Sequence, residues 1–316
     1  METRKIQLIA NSTYTLSLPK TWIKENNLKE KDEITIHKQN DKNLLLSPDS
    51  FRDKEIKEIS INVDNYPENL DRILFSIYYL GIGDIILYSK EKMSKEVKSK
   101  IRKALSNMSG TEISYEDEKK IIIKGLLDKS KIDIQQVMYR ISMIIDLSIQ
   151  NIFDGPELKE IRINENEIDR LYHLATKIIS ISLINSETLH SSKIQNTSFI
   201  PSYFLICKKL ESFADNVNHF AQHLKKNKIK LGDTKHILGF MRDELKRIIK
   251  QILKNFPEIF DKISEKQRKE KKNQIFNIKD KILSDYLRDM LRYLIDIQDE
   301  MITCSFYNKM IKQGKL

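Results

Sequence analysis

From Ile132 to the last residue, apolar side chains recur every three to four positions in every long segment. Nothing else constrains this chain as strongly. A segment with that period buries its apolar stripe only as a helix packed against other helices. Six helices are expected, near 132–153, 163–185, 199–226, 233–255, 258–282 and 284–312. Helices of about 20–28 residues joined by short loops are antiparallel bundle material. A break at residues 228–232 divides the six into three plus three. Glycine agrees with this reading. The chain holds 8 in 316 residues, with none before Gly81, where an average protein carries about 7%. Scarce glycine leaves few tight turns and favours long helices.

The first 126 residues have another pattern. Residues 4–9 and 13–18 alternate apolar and polar side chains, joined by Ala10-Asn11-Ser12, and read as two short strands. A brief helix from Pro19 to about residue 26 carries Trp22 and Ile23. Residues 33–38 and 43–47 then pair as a hairpin around Asn40-Asp41. This β-β-α-β-β unit is too small to bury much surface alone, and dimerisation is the usual remedy. Residues 51–126 read as a small α/β module. It has a strand at 59–63, a helix at 67–80 with Leu70, Ile73, Leu74, Ile77 and Tyr78 on one face, and a strand at 84–88. A helix capped by Ser94 and a strand pair at 112–115 and 120–124 complete it. Pro19, Pro67, Pro156, Pro201 and Pro257 each stand just before a helical pattern, where a missing N–H costs nothing. Pro48 closes the first segment. Four domains are expected: 1–50, 51–126, 127–230 and 231–316.

Catalytic signatures fail. There is no GxxxxGK[ST], GxSxG, HExxH or CxxC, and Gly81-Ile82-Gly83 lacks the third glycine of a dinucleotide fingerprint. An enzyme is not expected. Cys207 and Cys304 support neither a disulfide scaffold nor a cysteine-rich zinc site, which fits a reducing cytoplasm. No apolar run reaches the roughly 18 residues of a membrane span, and Met1-Glu2-Thr3-Arg4-Lys5 has no apolar signal region. A cytoplasmic protein without membrane insertion is expected.

One polar pattern stands out. Glu165, Asp169 and His173 lie four apart on the second helix of the run. Glu211, Asp215 and His219 repeat that spacing on the third, and His223 extends it. Steps of four place side chains nearly above one another. Two facing stripes would converge six groups able to ligate iron, manganese or zinc. Helical surfaces are also rich in carboxylates, and Asp169-Arg170 or Lys208 with Glu211 read equally well as ordinary ion pairs. His190 and His236 lack such neighbours and read as surface or capping residues.

The formal charge is +10, which suits nucleic acid, an acidic partner or a membrane surface. It is not spread evenly. Residues 1–50 hold 8 basic and 7 acidic side chains, and residues 225–275 hold 16 and 7. In the first unit Arg4, Lys5, Lys20 and Lys24 are candidates for contact with duplex DNA, with Ser12, Thr13 and Tyr14 adding hydrogen bonds. A plain dimerisation module is the alternative. The basic runs at 225–230 and 262–272 read as solvated helix faces or as contacts for an anionic partner.

Two resemblances complete the reading. Arg4-Lys5-Ile6-Gln7, Ser12-Thr13-Tyr14-Thr15-Leu16-Ser17-Leu18-Pro19-Lys20-Thr21-Trp22 and Lys31-Asp32-Glu33-Ile34 resemble a SpoVT/AbrB-type domain, the swapped-hairpin β-barrel of prokaryotic DNA-binding regulators. Lys31 stands where that family usually has glycine. Glu167-Ile168-Asp169-Arg170-Leu171-Tyr172 and Leu210-Glu211-Ser212-Phe213-Ala214-Asp215-Asn216-Val217-Asn218 resemble PhoU, the phosphate-uptake regulator, a tandem of two three-helix bundles. Archaeal phosphate uptake regulators join such halves through a module like residues 51–126, echoed here by Arg72, Tyr78-Tyr79-Leu80-Gly81, Ile101-Arg102 and Gly110-Thr111-Glu112-Ile113. The implied fold is mixed and mainly α: β-barrel, small α/β module, two bundles. PhoU-like proteins bind iron or zinc through ExxxD motifs, which carries onto Glu165/Asp169 and Glu211/Asp215. In the second bundle Arg288 and Arg292 replace acidic groups, with Asp296 left, and Glu265 is followed by Lys269. Metal is expected in the first bundle only, and Arg288 and Arg292 are a candidate anion contact. The implied function is a homodimeric, DNA-binding transcriptional regulator of phosphate uptake and phosphate homeostasis. The alternative is a metal-binding adaptor that regulates a phosphate ABC transporter ATPase or a kinase by protein contact.

Overall fold

The computed structural model describes residues 3–9, 13–38, 44–48, 58–128, 131–232, 234–258 and 262–314. The chain divides into two compact units, Met1–Ile56 and Lys57–Leu316.

The first unit pairs β1 (Gln7–Ile9) with β2 (Thr13–Thr15) and β3 (Ile34–Lys38) with β4 (Leu44–Pro48), both antiparallel, as two separate two-stranded sheets. Leu8 faces Tyr14 across the first pair and Ile36 faces Leu46 across the second. Between the pairs lies α1 (Lys20–Glu25), which starts after the extended Pro19. The expected turn at Ala10-Asn11-Ser12, with Ser12 itself, and the turn at Asn40-Asp41 lie outside the described residues. Two turns that lack glycine use left-handed backbone instead, at Asn27 (φ 54°) and Lys31 (φ 74°). Among the described residues of this unit no apolar side chain is buried. Tyr14 is 73% exposed, Ile6 69% and Leu44 67%. Isolated two-stranded sheets are marginal in water, and the described residues of this unit supply no apolar core to hold them.

The second unit opens with a four-stranded sheet in the order β5-β6-β8-β7: β5 (Glu58–Asn62), β6 (Asp84–Tyr88), β7 (Thr111–Glu116) and β8 (Lys120–Gly125). β5 and β6 are parallel, which requires the crossover helix α2 (Leu70–Tyr79), and the other pairs are antiparallel. α3 (Lys95–Ser106) begins at Ser94, whose hydroxyl accepts from the Val97 N–H at 3.2 Å. Leu70, Leu74, Ile77, Ile85, Leu87, Ile101, Met108, Ile121 and Ile123 form its core.

Helices fill the rest: α4 (Ile134–Asp154), α5 (Leu158–Ser182), the short α6 (Ser186–Ser191), α7 (Ile200–Lys226), α8 (Thr234–Ile252), α9 (Glu265–Phe276) and α10 (Lys281–Lys312). Two expectations are corrected. α5 begins five residues early, at Leu158, directly after Pro156. The helix expected over 258–282 is confined to 265–276, where Ser264 and Gln267 make a reciprocal capping box. Pro257 therefore opens no helix, and its carbonyl accepts from the Ser305 hydroxyl at 2.9 Å. The two expected triples of helices share packing through α7. α7 packs along α4 and α5 on one side and most extensively along α10 on the other, while α4 also touches α8. One continuous core runs from Ile134 to Cys304. The apolar stripe of α7, with Tyr203, Ile206, Leu210, Phe213, Val217 and Phe220 buried, is wide enough to serve both triples.

Candidate functional site

The polar stripes on α5 and α7 face each other beside this core. Ile168 on α5 and Leu210, Phe213 and Ala214 on α7 are buried. Their packing sets the distance between the two helices, and the carboxylates at the seam's edge are brought together as a consequence. One oxygen each of Asp169, Glu211 and Asp215 lie within 4.8 Å of one another, half-buried. Burial pushes the Asp169 carboxyl up to about 7, with the charges of Asp215, Glu211 and Glu165 adding to it. Burial likewise raises Asp215 to about 6, reinforced by Glu211 and Glu165. Crowded like charges of this kind are relieved by protons or by a cation.

The remaining stripe residues go elsewhere. Glu165 adds its charge to the cluster, but its carboxylate accepts a hydrogen bond from the Asn218 amide. His173 is drawn out of the stripe by α2. Its ring stacks on Phe75 with centroids 4.0 Å apart, and Nδ1 lies 2.5 Å from the Tyr79 hydroxyl. Burial, with the nearby Lys208 charge, lowers its pKa to about 4, so the imidazole is neutral at physiological pH. His219 lies against the Tyr286 ring on α10, 5.9 Å between centroids. His223 pairs with Asp280 at 3.0 Å. The cluster is therefore built of carboxylates. Steps of four drift by about 40° per step around a helix, so two steps, or three for His223, carry the imidazoles onto neighbouring elements.

A cation already touches the cluster. The Lys208 ammonium donates to both oxygens of Glu211, at 2.8 and 2.7 Å, and sits 5.0 Å from the centre of the Tyr172 ring. Burial opposes its charge, yet Glu211 outweighs burial and raises the Lys208 pKa. This is the ion pair that a spacing of three on one helix suggests. Tyr79 and Phe75, which hold His173 from the α/β module, carry no signal in the sequence of α5.

A donor set of three carboxylate oxygens fits a hard divalent cation. Three oxygens spread evenly around one ion at bonds of about 2.0–2.2 Å stand at most about 3.8 Å apart, so the three here, within 4.8 Å of one another, would close by up to about 1 Å around an ion. With the imidazoles turned away, the donor set leans from zinc towards manganese, magnesium or calcium.

Arg288 lies 2.8 Å from Asp285 and Arg292 3.5 Å from Asp289, each pair on one exposed face of α10. Asp296 is taken by Lys209 of α7 at 2.6 Å. Glu265 sits in the first turn of α9. In the first unit Arg4, Lys5, Thr13, Tyr14, Lys20 and Lys24 are all exposed.

No helix among the described residues is long and apolar enough to cross a membrane. None of the curated proteins and none of the solved structures compared with the chain matches it. Residues 7–53 match the model of a family described as antidote-toxin recognition MazE, bacterial antitoxin. The match ends before the α/β module and the helices, so the likeness concerns the N-terminal unit alone.

Proposed function

We propose that this protein is a DNA-binding transcriptional regulator. Its first unit dimerises and docks on duplex DNA, and its helices carry a divalent-cation site that biases the DNA-bound state. The observation that carries this reading is the family match over residues 7–53. Two features support it. The strands of the first unit leave Ile6, Leu8, Ile9, Tyr14, Leu16, Ile36 and Leu44 exposed, and a second copy of the same unit would cover them. Arg4, Lys5, Lys20 and Lys24 are exposed on the same small unit and supply phosphate and base-edge contacts, with Thr13 and Tyr14 beside them.

The assignment to phosphate uptake and phosphate homeostasis rests on the sequence resemblance of residues 130–316 to PhoU. In that reading the Asp169–Glu211–Asp215 cluster, with Glu165 behind it, holds the metal. The competing reading, an adaptor that meets a transporter ATPase or a kinase without touching DNA, keeps the dimer and drops the DNA contact.

A gel-shift assay separates them. The full chain should retard duplex DNA taken from upstream of phosphate-transport genes, and the shift should weaken steeply with salt. Arg4→Ala combined with Lys20→Ala should abolish the shift and leave the helical circular dichroism unchanged. A shift that survives both substitutions would remove the DNA contact from the first unit.

A further inference from the structure

Glu211 is the one carboxylate of the cluster whose two oxygens are both engaged by a single cationic side chain. Lys208 donates to Oε1 at 2.8 Å and to Oε2 at 2.7 Å. The Ser212 hydroxyl donates to Oε2 as well, at 3.1 Å. In this arrangement Glu211 has little left with which to bind an ion, although it sits in place beside Asp169 and Asp215. The two partners of the pair differ in their surroundings. The Glu211 side chain is 13% exposed and fixed against α5, whereas that of Lys208 is 45% exposed. Lys208 can therefore turn into water, its ammonium already lying 5.0 Å from the centre of the Tyr172 ring, and the carboxylate it leaves behind is the charge that an incoming ion neutralises. Glu211 cannot follow.

We propose that Lys208 is a tethered counter-ion that keeps the cation site closed. A divalent ion enters by displacing the ammonium from Glu211, after which Glu211 turns its freed oxygens to the ion. The inference rests on the reading of Asp169, Glu211 and Asp215 as a cation site and adds a function to it. The tether sets a threshold. An intramolecular cation is always present at high effective concentration, so the site fills only when the free divalent ion outcompetes it. The neighbouring residue is a natural control. Lys209 carries the same charge one position on, but reaches across to Asp296 of α10 at 2.6 Å and lies over the Tyr293 ring.

The test is a titration of the full-length chain with Mn²⁺, in which the free ion is counted by its electron paramagnetic resonance signal. Wild-type protein should bind the ion. Lys208→Gln should bind it about tenfold more tightly, because the competing charge is gone and the ion no longer has to displace it. Lys208→Arg, which keeps a charge, should bind no more tightly than wild type. Lys209→Gln should leave the affinity unchanged. Equal or weaker binding by Lys208→Gln, with wild-type circular dichroism and a wild type that does bind Mn²⁺, overturns the tether and leaves the cation site standing. The same gain in Lys209→Gln as in Lys208→Gln also overturns it, since net charge alone would then explain the effect. If wild type and Lys208→Gln both leave Mn²⁺ free, the cation site itself falls and the tether with it.

Discussion

Asp169 and Asp215 hold protons at a pH where ordinary aspartates have lost them. Their ordinary value is 3.8, and burial with mutual repulsion raises them to about 7 and about 6. The sign of the consequence follows from proton linkage. Between about pH 4 and pH 7 the folded chain binds protons that the unfolded chain has released. Metal-free protein should therefore lose stability as pH rises through that window, with the loss complete above about pH 7.5. Asp169→Asn should flatten the profile, raise the melting temperature at pH 8 and abolish Mn²⁺ binding. A melting curve for Asp169→Asn that tracks wild type from pH 5 to pH 8 would refute the repulsion. Lys31 makes a second case at this scale. It holds φ at 74°, where a side chain costs about 1 kcal/mol or more. Lys31→Gly should raise stability by about 0.5–1 kcal/mol, read as a higher denaturant midpoint for the first unit. Glycine is the residue usual at this point in the family that residues 4–34 resemble, and the backbone explains the preference.

At the scale of elements, the strands of the first unit and the helices of the second present opposite situations. β1 is exposed along its whole length, although it carries the apolar Leu8 and Ile9. Leu8 is buried only when something covers it and its cross-strand neighbour Tyr14. Leu8→Asp should therefore yield a monomer by light scattering coupled to gel filtration, with helical circular dichroism intact, and lose the DNA shift at the same time. A Leu8→Asp chain that remains dimeric would move the dimer contact elsewhere. Helix α9 illustrates how an element can be misjudged. Seven of its twelve residues are charged and only Lys271 and Ile275 are buried. Its ends are set by the Ser264 capping box and by Asn277 rather than by an apolar stripe. A periodicity reading over 258–282 had no stripe to follow there. The site stripes were legible for the complementary reason. Apolar residues flank them at helical spacing, so the facing of α5 and α7 could be anticipated from Ile168, Leu210 and Phe213.

For the whole molecule, the decisive feature is the double use of α7. Its residues contact α4 and α5 on one side and α10 on the other, within a single core. The helices from Ile134 to Lys312 should then unfold together. Phe213→Ala removes a fully buried ring and should cost about 3–5 kcal/mol. Calorimetry should show one transition for the helices, displaced to lower temperature as a whole. Two separable helical transitions, only one of them shifted, would restore the picture of independent bundles. Hydrogen bonds across the core argue for the single unit. Gln135 of α4 donates to Asn255 beyond the end of α8 at 2.5 Å, and Ser202 of α7 donates to Glu300 of α10 at 2.7 Å.

The sequence by itself pointed to a mainly helical second half, to short paired strands in the first fifty residues, and to the two helices that bring carboxylates together. Each is a local or periodic property: the side-chain period selects the element, and apolar flanks select the buried face. Only the tertiary structure decided the rest. It turned His173 towards Phe75 and Tyr79 of the α/β module and His219 towards Tyr286, so the cluster kept its oxygens and lost its nitrogens. It packed α7 against helices of both expected triples. It also placed Arg288 and Arg292 on an exposed face beside their own acidic neighbours. The physical reason is shared. A side chain's period fixes its direction on its own helix, but the groups waiting in that direction belong to elements distant in sequence, and only packing brings them there.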